Sequence, residues 1–100
     1  MSTEQQVKFD LGQTVATPGA LEALRRNNAT GFGYLRKHAS GDWGTVCDED
    51  KQANNQALKT GARILSAYFL PDETTLWVVT DAEDDSGNRQ ASTLLLPEEY

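Results

Sequence analysis

The chain predicts an α+β domain: two or three helices packed on a small antiparallel sheet of three or four strands. Three observations carry this. Residues 62–96 hold three β-rich runs, A-R-I-L-S-A-Y-F-L, T-L-W-V-V-T-D-A and Q-A-S-T-L-L-L-P, separated by short polar breaks, which is the pattern of a β-meander. The first sixty or so residues show helical spacing with recognisable caps. The break between the second and third runs is too short for a parallel crossover, which needs about a dozen residues or more, so these strands are expected to pair antiparallel, Leu76–Ala82 with Ala91–Leu96.

Taken in order, residues 1–6 are polar and are expected to be disordered. Val7, Phe9 and Leu11 alternate with Lys8 and Asp10 as in an edge strand, and Thr14–Ala16 can extend that pairing. Thr17-Pro18 marks a helix start: the threonine hydroxyl can accept an N–H of the first turn, and proline fits where its missing donor costs nothing. Ala20, Leu21, Ala23 and Leu24 give this helix its apolar face, and Asn27-Asn28 ends it. A second helix follows Thr30, with Phe32, Leu35 and Ala39 on one side and Tyr34 and His38 beside them. In the turn S-G-D-W-G, Trp43 is expected to plug the core between two glycines. A third helix starts at Cys47 or Asp48, carries acids in its first turn and Lys59 near its end, and stops at Gly61. In the meander, Ile64, Ser66, Tyr68 and Leu70 point one way, and Leu76, Val78 and Thr80 share a face. Pro71–Thr74 is a turn, Glu83–Arg89 a solvated loop, and Pro97 ends the last strand.

At 100 residues, with 38% hydrophobic and 24% charged residues, the chain fits one folded domain spanning residues 1–100. A net charge of −6 opposes direct nucleic-acid binding, which rests on clustered Lys and Arg. The single cysteine excludes an internal disulfide and a cysteine zinc cage. No apolar run reaches membrane-spanning length, and M-S-T-E-Q-Q lacks the apolar core of a signal peptide. The expectation is a reduced, cytoplasmic protein with no membrane, metal or cofactor; its oligomeric state is left open.

The segments A-T-P-G-A-L-E-A-L (16–24), G-D-W-G (41–44), R-I-L-S-A-Y (63–68), L-W-V-V-T-D-A (76–82) and T-L-L-L-P-E-E-Y (93–100) together resemble a family of small bacterial proteins. These are carried on plasmids and other mobile elements, and some bear a restriction–modification subunit label. The resemblance implies a mobile-element setting and assigns no chemistry to any residue. The chain has no glycine-rich cofactor loop following a strand, so a methyltransferase role is not expected.

Two functional readings follow. The favoured one is a non-catalytic accessory that binds a protein partner, with Asp72, Glu73, Glu83, Asp84 and Asp85 available to meet a basic patch. The alternative borrows the layout of barnase- or RelE-type ribonucleases. There His38, Arg63, Ser66, Thr80 and Thr93 would supply a proton-transfer group, a cation and hydroxyls around an RNA phosphate. The plainer expectation for His38 is a surface residue at a helix end, and for Cys47 a buried structural thiol. Asp48, Glu49 and Asp50 are read as helix-start acids, since consecutive helical residues point in different directions.

Overall fold

The computed structural model describes residues 7–100; the disorder expected for residues 1–6 falls outside them. In chain order the elements are β1 (Gln13–Ala16), α1 (Pro18–Arg26), α2 (Gly31–Ala39), α3 (Asp48–Thr60), β2 (Ile64–Phe69), β3 (Thr75–Thr80), β4 (Ala91–Leu95) and a 3-10 turn (Pro97–Glu99). The architecture is α+β, three helices with one four-stranded sheet of order β1-β4-β3-β2.

The meander forms as its spacing predicts. β2 pairs antiparallel with β3, and β3 with β4, in a register that sets Trp77 opposite Leu95 and Thr80 opposite Ser92. The sheet as a whole is mixed and not purely antiparallel, because β1 joins β4 in parallel, Gln13 opposite Ala91 through Ala16 opposite Leu94. All three helices intervene in sequence between these two strands, which supplies the long connection a parallel pair requires. β1 is also shorter than the alternation of Val7, Phe9 and Leu11 predicts: residues 7–12 run outside any strand, and Phe9 turns in toward Trp43 and Ala57.

Helix starts and stops follow local chemistry. Thr17 accepts the Ala20 N–H at 3.1 Å with Pro18 in the first turn, and Gly61 closes α3 at φ 82°, a left-handed position that glycine takes without a Cβ penalty. Thr17→Ala is expected to lower stability by about 1 kcal/mol, with Thr17→Ser retaining most of it; thermal unfolding of the two variants checks this.

The register sorts the strands into two faces. Ile64, Ser66, Tyr68, Leu76, Val78, Thr80, Ser92 and Leu94 share one face, and all are buried. Ala20, Ala23 and Leu24 of α1 and Leu35 of α2 pack there with Tyr68, Leu76, Val78 and Leu94. A smaller cluster of Trp43, Ala57 and Ile64 joins α3 to the same side. On α2 the buried stripe is Leu35, His38 and Ala39, while Phe32 is 70% exposed, so the helix is rotated from the face drawn through Phe32. Two of those stripe residues lie i, i+3 and i, i+4 from Leu35, the spacing a buried helical face requires.

The two sheet edges are treated differently. Along β2 the outward-facing backbone is occupied: the Asn54 side-chain amide donates to the Leu65 carbonyl at 2.7 Å and accepts the Leu65 N–H at 3.2 Å. One step along, Ala67 donates to the Trp43 carbonyl and accepts from the Thr45 N–H, a bridge centred on Gly44. Gly44 has φ +76°, and a Cβ there would collide with the Ala67 carbonyl, so the close approach depends on glycine. β1 stands at the other edge, and no described strand lies beyond it.

Candidate functional site

Where the helices meet the sheet, a line of polar groups crosses the apolar interior. α2 places His38 over β2 and β3, and the ring is fully buried. Its Nδ1 lies 2.6 Å from Ser66 Oγ and its Nε2 2.8 Å from Thr80 Oγ1. Thr80 Oγ1 is 2.6 Å from Ser92 Oγ across the β3–β4 pair, and Ser92 donates to the Leu11 carbonyl at 2.7 Å.

That last contact directs the protons along the line as far as the Nε2 side of the ring. A carbonyl only accepts, so the Ser92 proton is committed to Leu11. Ser92 therefore accepts from Thr80, and Thr80 in turn accepts from His38 Nε2–H. Nδ1 is left to accept the Ser66 proton. In a neutral imidazole this places the hydrogen on Nε2. Burial, and secondarily the charge of Arg89, pushes the His38 pKa down to about 4, which favours the neutral ring. No buried side-chain nitrogen or oxygen among the described residues lacks a partner. His38 is therefore neither the surface residue expected at a helix end nor open to solvent. Phe9 and Trp43 close over it edge-on, at centroid distances of 5.2 and 6.0 Å.

Of the residues grouped for RNA chemistry, the structure brings together His38, Ser66 and Thr80, all inside the core. Thr93 faces the other way, since it is adjacent to Ser92 on β4 and pairs with Val79. Arg63 precedes β2, is exposed, and its guanidinium sits 5.3 Å from the centre of the Tyr100 ring. The guanidinium whose charge acts on the ring, that of Arg89, is itself buried and bound to backbone carbonyls: Ala62 at 2.7 Å, Asp81 at 2.9 Å and Ala57 at 3.1 Å.

Arg89 corrects the reading of Glu83–Arg89 as a uniformly solvated loop. Its acids are exposed, but the arginine turns inward to tie the end of α3 to the start of β2 and the end of β3, which lie side by side at one end of the pair. Cys47 is likewise not buried; it stands exposed at the N-cap of α3.

The five acids divide into two groups at opposite ends of β3. Asp72 and Glu73 lie in the turn before the strand, and Glu83, Asp84 and Asp85 in the loop after it. All are exposed, yet not all are free. Asp72 accepts the Thr74 N–H at 3.0 Å, and Asp84 accepts the Ser86 and Asn88 N–H groups and the Gln90 side chain. Hydrogen bonds from Thr74 and from Asn88 lead in holding the Asp72 and Asp84 carboxyls below their ordinary range. Glu83 leans over Gly61 and lies 4.0 Å from Arg89. Glu73 and Asp85 have no ion pair among the described residues.

The sheet face away from the helices has a different character. None of the residues of the two core clusters lies on it. Ala67, Val79 and Leu95 are buried in its centre, whereas Phe69 at one corner is 59% exposed and Val15 on β1 is 41% exposed. Trp77 lies beneath Tyr100, ring centres 5.5 Å apart at 72°. Among the described residues there is no cluster of acids, histidine and cysteine suited to a metal ion, and no helix is long and apolar enough to cross a membrane.

No protein-family model, curated protein or solved structure matches this chain.

Proposed function

We propose that the protein is a non-catalytic accessory that binds a protein partner through the sheet face away from its helices. The observation that carries this is the exposure of Phe69 and Val15 at two corners of a face that contributes nothing to the helix-packed core clusters, with Trp77 between them in the strand order. The ribonuclease alternative gains no support from the geometry. An acid–base histidine must reach a substrate proton, and His38 spends both ring nitrogens on buried hydroxyls.

Glu73 and Asp85 sit at opposite ends of this face as an exposed acidic rim, with Glu83 beside the latter. With a net charge of −6 they favour encounter with a basic partner more than they add to its final affinity. The setting that the sequence resemblance implies, a bacterial mobile element and a cytoplasmic protein, belongs to the same proposal.

The test pairs a binding measurement with a chemical one. Wild type and Phe69→Asp, Val15→Asp, both checked for an unchanged fold by circular dichroism, are cross-linked in bacterial lysate. They are also incubated with mixed RNA. The expected result is a partner captured by wild type and reduced at least about tenfold by either variant, as for an interface anchor worth about 1.4 kcal/mol or more, with no RNA cleavage. RNA cleavage by wild type that is lost in His38→Ala overturns the proposal, as does capture indifferent to both face variants.

A further inference from the structure

β1 is paired on one side only, and its backbone shows which groups that leaves. The Gln13 and Thr17 N–H groups donate inward to the Gln90 and Leu94 carbonyls, each at 3.0 Å. Bonding groups alternate sides along a strand, so Gln13, Val15 and Thr17 address β4, while the N–H and carbonyl of Thr14 and Ala16 point away from the sheet. Those outward groups have no partner among the described residues. The strand, Q-T-V-A, carries no charge, no proline and no break in register, so it lacks the devices that ordinarily keep an edge from pairing.

An apolar side chain flanks this edge on each face of the sheet. Val15 lies beside Thr93 on the helix-free face and is 41% exposed. On the helical face Leu21 is 57% exposed, and the attachments of α1 set its direction. Asn27 and Arg26 reach the turn between β2 and β3, at the Asp72 N–H (2.9 Å) and the Asp72 carboxylate (3.8 Å). Leu21 stands about 140° around the helix from Arg26, so it projects from the opposite flank, toward β1.

From this we propose that two copies of the chain join through β1, running antiparallel with their Val15 residues facing each other. In that register Thr14 of each copy exchanges both backbone bonds with Ala16 of the other. Centring on Thr14 would call on Gly12, held at φ 66°, and centring on Ala16 would call on Pro18, which has no N–H. Only the Val15 register pairs every outward group of the strand. A bare peptide would satisfy the backbone and pack beside Val15 but leave Leu21 uncovered. A second copy brings its own strand and, directly after it, its own α1, so Leu21 meets Leu21 on one face as Val15 meets Val15 on the other. The inference goes beyond partner binding and does not depend on it. Joined this way, the two helix-free faces form one surface with the Val15 pair at its centre and a Phe69 at each far end.

Sedimentation velocity of the full chain at rising concentration tests the pairing. The mass should climb from 11.0 kDa toward twice that value, with half-conversion on the order of 100 μM, as suits a small interface. Leu21→Lys should weaken association at least about tenfold, and so should Thr14→Pro, which removes one outward N–H and no inward bond. The register is read by oxidising Val15→Cys in a Cys47→Ser background with glutathione disulfide. Residues facing each other as the Val15 pair does have Cα atoms about 4.5 Å apart, within disulfide reach. The two positions 13 would lie about 14 Å apart, so Gln13→Cys in the same background should cross-link far more slowly. A chain still monomeric at about 1 mM overturns the proposal. So does association untouched by Leu21→Lys, or equal cross-linking at positions 13 and 15. Leu21 is exposed, so its comparison decides the matter if Thr14→Pro does not fold. Phe69→Asp should leave the dimer intact. Loss of partner capture in that variant and loss of the dimer in Leu21→Lys therefore report separately on the two readings.

Discussion

Replacing Trp43 with alanine is expected to cost about 3–5 kcal/mol, the range for deleting a large aromatic side chain from a core. The indole is 5% exposed and closes the smaller cluster with Ala57 and Ile64. It stacks on Phe9 at 6.2 Å and stands edge-on to His38 at 6.0 Å, so its loss removes a wall from the buried polar line as well as apolar contact. Its Nε1–H donates to Asn55 Oδ1 at 3.1 Å. That bond is a small part of the loss, because Asn55 is exposed and water can replace the donor. Urea unfolding followed by far-ultraviolet dichroism measures the effect: a midpoint and slope equal to wild type would show that the ring does not support the core. Trp43→Phe, which keeps a ring but loses volume and the donor, should fall between the two.

Acid should weaken the protein in a window set by His38. In the unfolded chain the imidazole binds a proton near its ordinary value of 6.5, whereas in the folded chain burial delays this to about 4. Between those values the unfolded state holds more protons, so lowering the pH favours unfolding. The stabilisation is complete above pH 6.5 and is lost progressively down to about pH 4, a total of about 3 kcal/mol for a shift of this size. The structural cause is the burial of the ring, and after it the charge of Arg89. A second ring proton would place a charge in a site closed to water, with the Arg89 guanidinium as the neighbouring charge. Stability measured by urea at pH 7 and pH 5 should show the slope in wild type and lose most of it in His38→Gln. A slope unchanged by that substitution would place the titration elsewhere. Asp72, Asp84 and Glu99, whose carboxyls lie below their ordinary range, add losses only at lower pH.

The fold was legible in the sequence wherever a local rule decides it. Thr17-Pro18, Gly61 and the meander turns act within a few residues, and alternation along 64–69 and 75–80 sorts the two faces without knowledge of the rest. Contacts between distant segments escaped that reading. β1 joins β4 across nearly the whole chain, which no local pattern encodes, and the parallel pairing follows from the path of the intervening helices. Arg89 ends a run of acids and polar residues that marks a loop. Its burial depends on three carbonyls contributed by α3 and the strand ends, which sequence spacing cannot bring together. His38 was within reach. It lies three residues after Leu35 and next to Ala39, so the stripe Leu35–His38–Ala39 fits a buried helical face as well as the one drawn through Phe32. Ser92 also had a signal, because the expected pairing of β3 with β4 sets it across from Thr80. Two hydroxyls facing each other inside a core call for a third polar group, and the chain has one histidine to offer.

The plugging of β2 by Asn54 and the Gly44 bridge has a consequence for assembly. A strand edge can join another molecule in two ways: unlike edges meeting head to tail, which repeats without limit, or like edges meeting about a twofold axis, which closes after two copies. Head-to-tail growth needs an open acceptor at each side of the sheet. Here the middle of the β2 side is already taken by an amide and a glycine-centred bridge, while β1 alone faces outward. Among the described residues, head-to-tail extension through the native edges is therefore opposed by a single asparagine and a turn, and like-edge pairing through β1 is the arrangement they leave open.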